Sequence, residues 1–145
     1  MFYGEYNHGI DTKGRLILPA RFRDICEEGG YDRLFLTRGL DQCIFMFVEE
    51  EWRQQEKKFK ALSFTRKEAR TFNRLFFSGA VEVLPDKQGR FIIPQFLKTY
   101  ASIDQKVVVI GVSNRIEIWA EEVWKKFYQT SSESFEEIAE NMIDI

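Results

Sequence analysis

The feature that most constrains this 145-residue chain is that part of it occurs twice. Asp-Thr-Lys-Gly-Arg-Leu-Ile-Leu-Pro at 11–19 returns 75 residues later as Asp-Lys-Gln-Gly-Arg-Phe-Ile-Ile-Pro at 86–94, with five identities in nine. Average residue usage gives about half a match in such a window. Downstream the correspondence continues at an offset of 72, pairing Asp32 with Asp104, Gly39 with Gly111, Ile44 with Ile116, Glu49 and Glu50 with Glu121 and Glu122, and Trp52 with Trp124. Three residues near Glu27 to Gly30 are extra in the first copy. One supersecondary unit is therefore used twice. A half of about 70 residues is only marginally stable alone, so the two copies are expected to share one core.

The local signals agree between the copies. Asp11 and Asp86 stand at the first position of a type I turn, and Gly14 and Gly89 at its fourth, where those residues are favoured. Strands should flank both turns. Pro19 and Pro94 end the following strand and suit the first turn of a helix, where a missing N–H costs nothing. Phe22, Ile25 and Cys26, and in the second copy Leu97, Tyr100 and Ala101, recur at helical spacing and give each short helix a buried stripe. Two more strands follow in each copy, Arg33–Thr37 with Cys43–Val48 and Lys106–Ile110 with Arg115–Trp119, joined by loops beginning at Gly39 and Gly111. Residues 53–74 hold eight basic and two acidic residues. They read as a helical connector with a Thr65/Glu68 capping box and an inner face of Phe59, Phe64, Phe72 and Phe76. Ser134 and Glu137 form a second box opening a final helix, with Phe135, Ile138 and Met142 on one face and its acidic side toward solvent. The resulting division is 1–52 first repeat, 53–76 connector, 77–124 second repeat and 125–145 acidic tail, in an α+β fold.

Charge separates along this division. The chain has 21 Lys+Arg and 23 Asp+Glu, but residues 117–145 carry eight acids and two lysines, which leaves the first 116 residues at +4. A net charge of -2 thus hides a basic body that can meet nucleic acid. The longest apolar runs, 43–48 and 107–112, are far short of the roughly 20 residues that cross a bilayer. No membrane partner is expected. Cys26 and Cys43 form no CxxC pair, and the first ten residues lack the basic and apolar segments of a secretory signal. A reducing cytoplasm is expected.

The two turns are the sharpest candidate site. Arg15 and Arg90 follow the glycine at matching places, and a guanidinium fork can take guanine O6 and N7 together or clamp a phosphate. Lys13 and Lys87 would add phosphate contacts. Arg21 and Arg23 extend the basic surface near the first turn, where the second copy has Phe96 and Lys98, so the first half should contribute more. Asp11 and Asp86 suit turn capping or arginine orientation, because carboxylates repel phosphates. Each motif also has a purely structural reading as a hairpin clasp, and the charge run of the connector one as a solvated helix face. Most of the 14 phenylalanines fall at core periods rather than as a base-stacking platform.

Catalytic and metal-binding readings are weak. His8 is the only histidine, no cysteine lies near it, and one His with two Cys makes a poor zinc set. Neither GxxxxGK[ST] nor GxGxxG occurs. No cofactor is expected.

Gly4-Glu5-Tyr6-Asn7-His8, followed by Asp11-Thr12-Lys13-Gly14-Arg15-Leu16-Ile17-Leu18-Pro19-Ala20-Arg21-Phe22-Arg23, resembles the MraZ family of bacterial regulators of the division and cell wall gene cluster. The resemblance covers essentially the whole chain and includes both Asp-x-x-x-Arg motifs in tandem. It implies an AbrB-like (SpoVT-AbrB) fold in which two strand-helix-strand copies form swapped-hairpin barrel halves of one pseudo-two-fold unit. It also implies a ring-shaped homo-oligomer at the nucleoid, regulation of its own operon, and binding of double-stranded promoter DNA through the motif arginines. A non-DNA scaffold or an antitoxin-like protein binder is the competing function.

Overall fold

A computed structural model describes residues 1–143. The elements in order are β1 (Phe2–Gly9), β2 (Arg15–Ile17), α1 (Ala20–Gly29), β3 (Leu34–Arg38), β4 (Ile44–Val48), α2 (Glu49–Lys60), α3 (Lys67–Ser78), β5 (Val81–Val83), β6 (Arg90–Ile92), α4 (Gln95–Tyr100), β7 (Lys106–Ser113), β8 (Ile116–Ala120), α5 (Glu121–Ser131), a 3-10 turn (Ser132–Ser134) and α6 (Phe135–Met142). The fold is α+β, and every strand pair is antiparallel. Six strands form one sheet in the order β1-β7-β8-β4-β3-β5, and β2 and β6 form a separate ribbon. Among the described residues no helix is long and apolar enough to cross a membrane.

Strands do flank each turn, yet the two arms of a turn do not pair with one another. From the first copy, β1 adds to β7 of the second; from the second, β5 adds to β3 of the first. The remaining arms, β2 and β6, pair with each other. The register exposes a pseudo-two-fold axis, because repeat-related residues lie opposite one another. Leu16 pairs with Phe91, and Phe45 with Glu117. Equivalent strands also keep matching registers, with His8 opposite Val107 and Val83 opposite Leu34.

That symmetry corrects one expectation. In place of the offset of 72, β3 and β7 match at 73, for Leu34 and Val107 are both buried and pair with Val48 and Ala120. Gly39 is a loop residue, whereas Gly111 lies inside β7 opposite Gly4. A Cβ at Gly111 would stand 2.5 Å from the Phe2 carbonyl carbon and the Tyr3 nitrogen. Close backbone approach, not a loop, requires that glycine.

Strand alternation divides the sheet into two faces. Ile44, Met46, Ile116 and Ile118 join Leu16, Phe22, Phe91 and Leu97 in one core drawn from both copies, under the ribbon, α1 and α4. Pro19 and Pro94 immediately precede those helices as N-caps, and the extra residues of the first copy lengthen α1 to its left-handed cap at Gly30. On the other face Phe47, Trp52 and Phe76 pack beneath α2 and α3, with Trp52 stacked on Phe35 and Phe76 at 5.4 and 5.6 Å. Thr37 Oγ1 donates to the Phe76 carbonyl and Arg38 Nη1 to that of Leu75 at 2.6 Å, satisfying the end of α3. Near the axis, buried Glu117 accepts from Arg115 Nε at 2.9 Å and Trp119 Nε1 at 3.0 Å.

The helical segments hold further corrections. Neither capping box forms. The N-cap of α3 is Arg66, so Thr65 sits one residue early and its hydroxyl meets Ser63, while Glu68 pairs with Arg66. Ser134 is the N-cap of α6, but the 3-10 turn runs straight into the helix and holds Ser134 at φ -97, ψ 3, away from the extended shape that aims a capping oxygen. Phe59, Phe72 and Phe76 are packed as expected, but Phe64 occupies the α2–α3 loop and is 79% exposed. Phe135, Ile138 and Met142 face solvent instead of a core. In the first copy Phe76 of α3 stacks on Trp52; in the second the partly buried Trp124 packs against Trp119, Phe127 and Tyr128.

Candidate nucleic-acid interface

Both motifs fold into the same clasp. The Gly14 N–H donates to the Asp11 carbonyl at 3.0 Å and the Asp11 N–H to the Arg15 carbonyl at 2.9 Å; the second turn repeats these bonds at 2.9 and 3.0 Å. Gly14 and Gly89 take φ of 78° and 81°, the left-handed residue that closes a three-residue hairpin loop. Asp11 Oδ1 accepts from the backbone of Lys13 and Arg15 at 2.9 and 2.8 Å, and Oδ2 from Arg15 Nε at 2.8 Å. Asp86 does the same with Gln88 and Arg90, at 2.9, 2.9 and 2.8 Å. Each aspartate therefore shapes its turn and orients its arginine together.

The clasp occupies only one guanidinium nitrogen. Among the described residues no protein group accepts from the Nη atoms of Arg15 or Arg90. Because Leu16 and Phe91 point into the core, the alternation sends Arg15, Ile17, Arg90 and Ile92 to the outer face of the ribbon. Arg15 lies opposite Ile92 and Arg90 opposite Ile17, so the two arginines are diagonal neighbours, roughly 7–8 Å apart on the pleat. The turns stand at opposite ends of this ribbon, with Lys13 and Lys87 exposed on them.

Sequence order set Arg21 and Arg23 beside the first turn, but the fold carries Arg23 to the second. The Leu18 N–H donates to the Gly89 carbonyl at 2.8 Å, so α1 begins next to the other copy's turn. Arg23 Nη1 then donates to the Gln88 carbonyl at 2.8 Å, and its stem lies where a Cβ on Gly89 would go. Arg21 is exposed on α1. The extra basic residue thus supports the second turn. Nothing in the sequence pattern marks this contact, since it depends on the exchange of strands between copies.

Both aspartates are held below the ordinary value of 3.8, first by the backbone N–H of the motif arginine, against a smaller opposing effect of burial, and then by its side chain. A carboxylate lowered in the folded state stabilises it above its unfolded pKa, and that contribution is lost as pH falls through the folded value. The clasps are therefore complete from pH 5 to 8 and open only in acid. Carbon-detected NMR should find the Asp11 and Asp86 carboxyls titrating below pH 3.8; midpoints at or above it would mean that the clasps do not hold in solution. His8, on β1, is lowered by burial and then by the Arg23 cation, which favours the neutral ring at neutral pH. Among the described residues no group of three or more His, Cys, Asp or Glu side chains is placed to hold a metal. Burial pushes the Cys26 thiol up to about 11 and raises that of Cys43 further.

One comparison with known proteins bears on this arrangement. The family model for the MraZ protein, described as antitoxin-like, matches the chain twice, over residues 1–75 and 76–145. The two matches split the chain between the copies related by the pseudo-two-fold axis. With the whole sequence matched in tandem and both clasps in place, this chain belongs to the MraZ family.

Proposed function

We propose that this protein is a sequence-specific, DNA-binding transcriptional regulator of the division and cell wall gene cluster, including its own operon. Its site of action is the cytoplasmic nucleoid, and its fold is of the AbrB swapped-hairpin barrel type. The observation that carries the reading is the pair of clasps with matching hydrogen bonds that hold Arg15 and Arg90 on one face of one ribbon. A B-DNA major groove, about 12 Å wide, admits a two-stranded ribbon, and arginine paired with guanine is its commonest specific contact. Lys13, Lys87, Arg21 and Arg23 supply phosphate contacts around it. Family membership supports a regulatory role of this class.

One ribbon offers too few base contacts to find one site in a genome, each worth about 1–3 kcal/mol. Ring-shaped homo-oligomers would present successive ribbons to direct repeats, and linkage raises avidity without new contacts. Duplexes with one repeat and with two, at fixed length, test this: the second repeat should tighten binding at least tenfold. Equal affinities would end the avidity reading. The self-contained clasps and the antitoxin-like family description favour a second reading, a scaffold or protein binder in which the Asp–Arg pairs are structural. That reading requires no preference for the protein's own promoter.

A further inference from the structure

The two clasps carry the same internal hydrogen bonds, yet the rest of the chain holds them differently. Behind the second turn stands the start of α1. The Leu18 N–H donates to the Gly89 carbonyl and Arg23 Nη1 to the Gln88 carbonyl, both at 2.8 Å. Two consecutive carbonyls of that turn are thereby tied to residues of the first copy. The first turn has neither tie. The counterparts of Leu18 and Arg23, 75 residues on, are Ile93 and Lys98. Among the described residues neither donates to the carbonyl of Lys13 or Gly14. The glycines record the same difference. Gly14 and Gly89 share a left-handed backbone, with φ of 78° and 81°. Gly14 is half-buried, with nothing within 4 Å of the place a Cβ would take, whereas Gly89 is buried and the Cγ and Cδ atoms of Arg23 crowd that place.

Arg90 follows Gly89 directly, and its backbone N–H and Nε both bond Asp86 within the tied turn. We infer that Arg23 is a positioning residue for DNA reading: by tying the Gln88 carbonyl it pre-sets the second turn, so that Arg90 meets its base in a fixed geometry, while Arg15 meets its own from a turn that adjusts on contact. A loop fixed in its bound shape does not have to be ordered at binding, which strengthens the contact it presents. The inference rests on the DNA reading proposed above and gives Arg23 a role beyond the phosphate contact assigned there. The two roles differ in what they strengthen. A phosphate contact favours any duplex, whereas a brace behind Arg90 favours only a duplex with the right base in reach.

The test joins hydrogen exchange of the two turns to DNA affinity in the full-length protein. In wild type, peptides over 86–91 should be about tenfold better protected than those over 11–16, after correction for intrinsic rates. Arg23→Ala should remove that difference without changing the first turn. It should also weaken binding to duplex from upstream of the protein's own gene about fivefold more than binding to a scrambled duplex. Gly89→Ala keeps every charge but displaces the Arg23 stem, and Gly14→Ala imposes the same left-handed strain with no side chain in its way. Gly89→Ala should therefore loosen its turn more than Gly14→Ala loosens its own, which keeps the test sound if Arg23→Ala fails to fold. Equal protection of the two turns in wild type, or equal loosening by the two alanines, would overturn the brace whatever the DNA result. A turn that loosens in Arg23→Ala while both duplexes lose affinity equally would overturn this inference alone and leave Arg23 a phosphate contact. A wild type with no preference for the upstream duplex would overturn the DNA reading and this inference with it.

Discussion

Phe22→Ala will destabilise the whole chain by about 3–5 kcal/mol, the cost of removing a fully buried aromatic ring and leaving its cavity. Phe22 is 0% exposed and meets the rings of Phe2 and Tyr6 edge-on at 5.3 and 5.2 Å. Those two residues belong to β1, whose hydrogen-bonded partner is β7 of the other copy. The damage therefore spreads across both repeats. Urea unfolding of wild type and variant should each give one transition with unchanged steepness, displaced to lower urea in the variant. Two separate transitions, or a loss below about 1 kcal/mol, would show that the copies do not share the core.

Arg15→Ala combined with Arg90→Ala will abolish sequence preference while leaving the fold. If each arginine makes one bidentate base contact of about 1–3 kcal/mol, the pair contributes about 2–6 kcal/mol per chain, roughly thirtyfold to twenty-thousandfold in specific affinity. Several chains on one DNA multiply that loss. Both side chains are about one-third exposed and their ion pairs lie at the surface, where such pairs contribute little to stability. Circular dichroism should thus be unchanged while competition against unrelated DNA reveals no preference. A variant that retained the preference would move the reading surface off the ribbon.

Much of this was legible in the residues. The nine-residue repeat located both turns, and Asp, Gly and Pro at fixed places specified turn, strand and helix in each copy. The pattern placed strands over Cys43–Val48 and Arg115–Trp119, where β4 and β8 run, buried at nearly every residue. It does not say which strand pairs with which, so the exchange of β1 and β5 between copies was invisible in the pattern, and with it the approach of Arg23 to the second turn. Gly39 and Gly111 align as letters but sit in different places, Gly39 in a loop against Phe45 and the Cys43 carbonyl and Gly111 inside β7 against the backbone of β1. The capping boxes failed because the helices begin in a different place or out of a preceding turn. Periodicity put Phe64 on the inner face of the connector and the α6 stripe on one helix face, and it registers an apolar face without revealing whether the same chain covers it.

The most direct test of the central claim is fluorescence anisotropy of DNA from upstream of the protein's own gene, against a scrambled duplex, over several salt concentrations. Wild type should prefer the upstream DNA at every salt, with both affinities falling as salt rises and the preference vanishing in Arg15→Ala. Equal, weak binding to both duplexes, unchanged by that substitution, would contradict the account and leave the clasps as structural elements of a protein-binding surface.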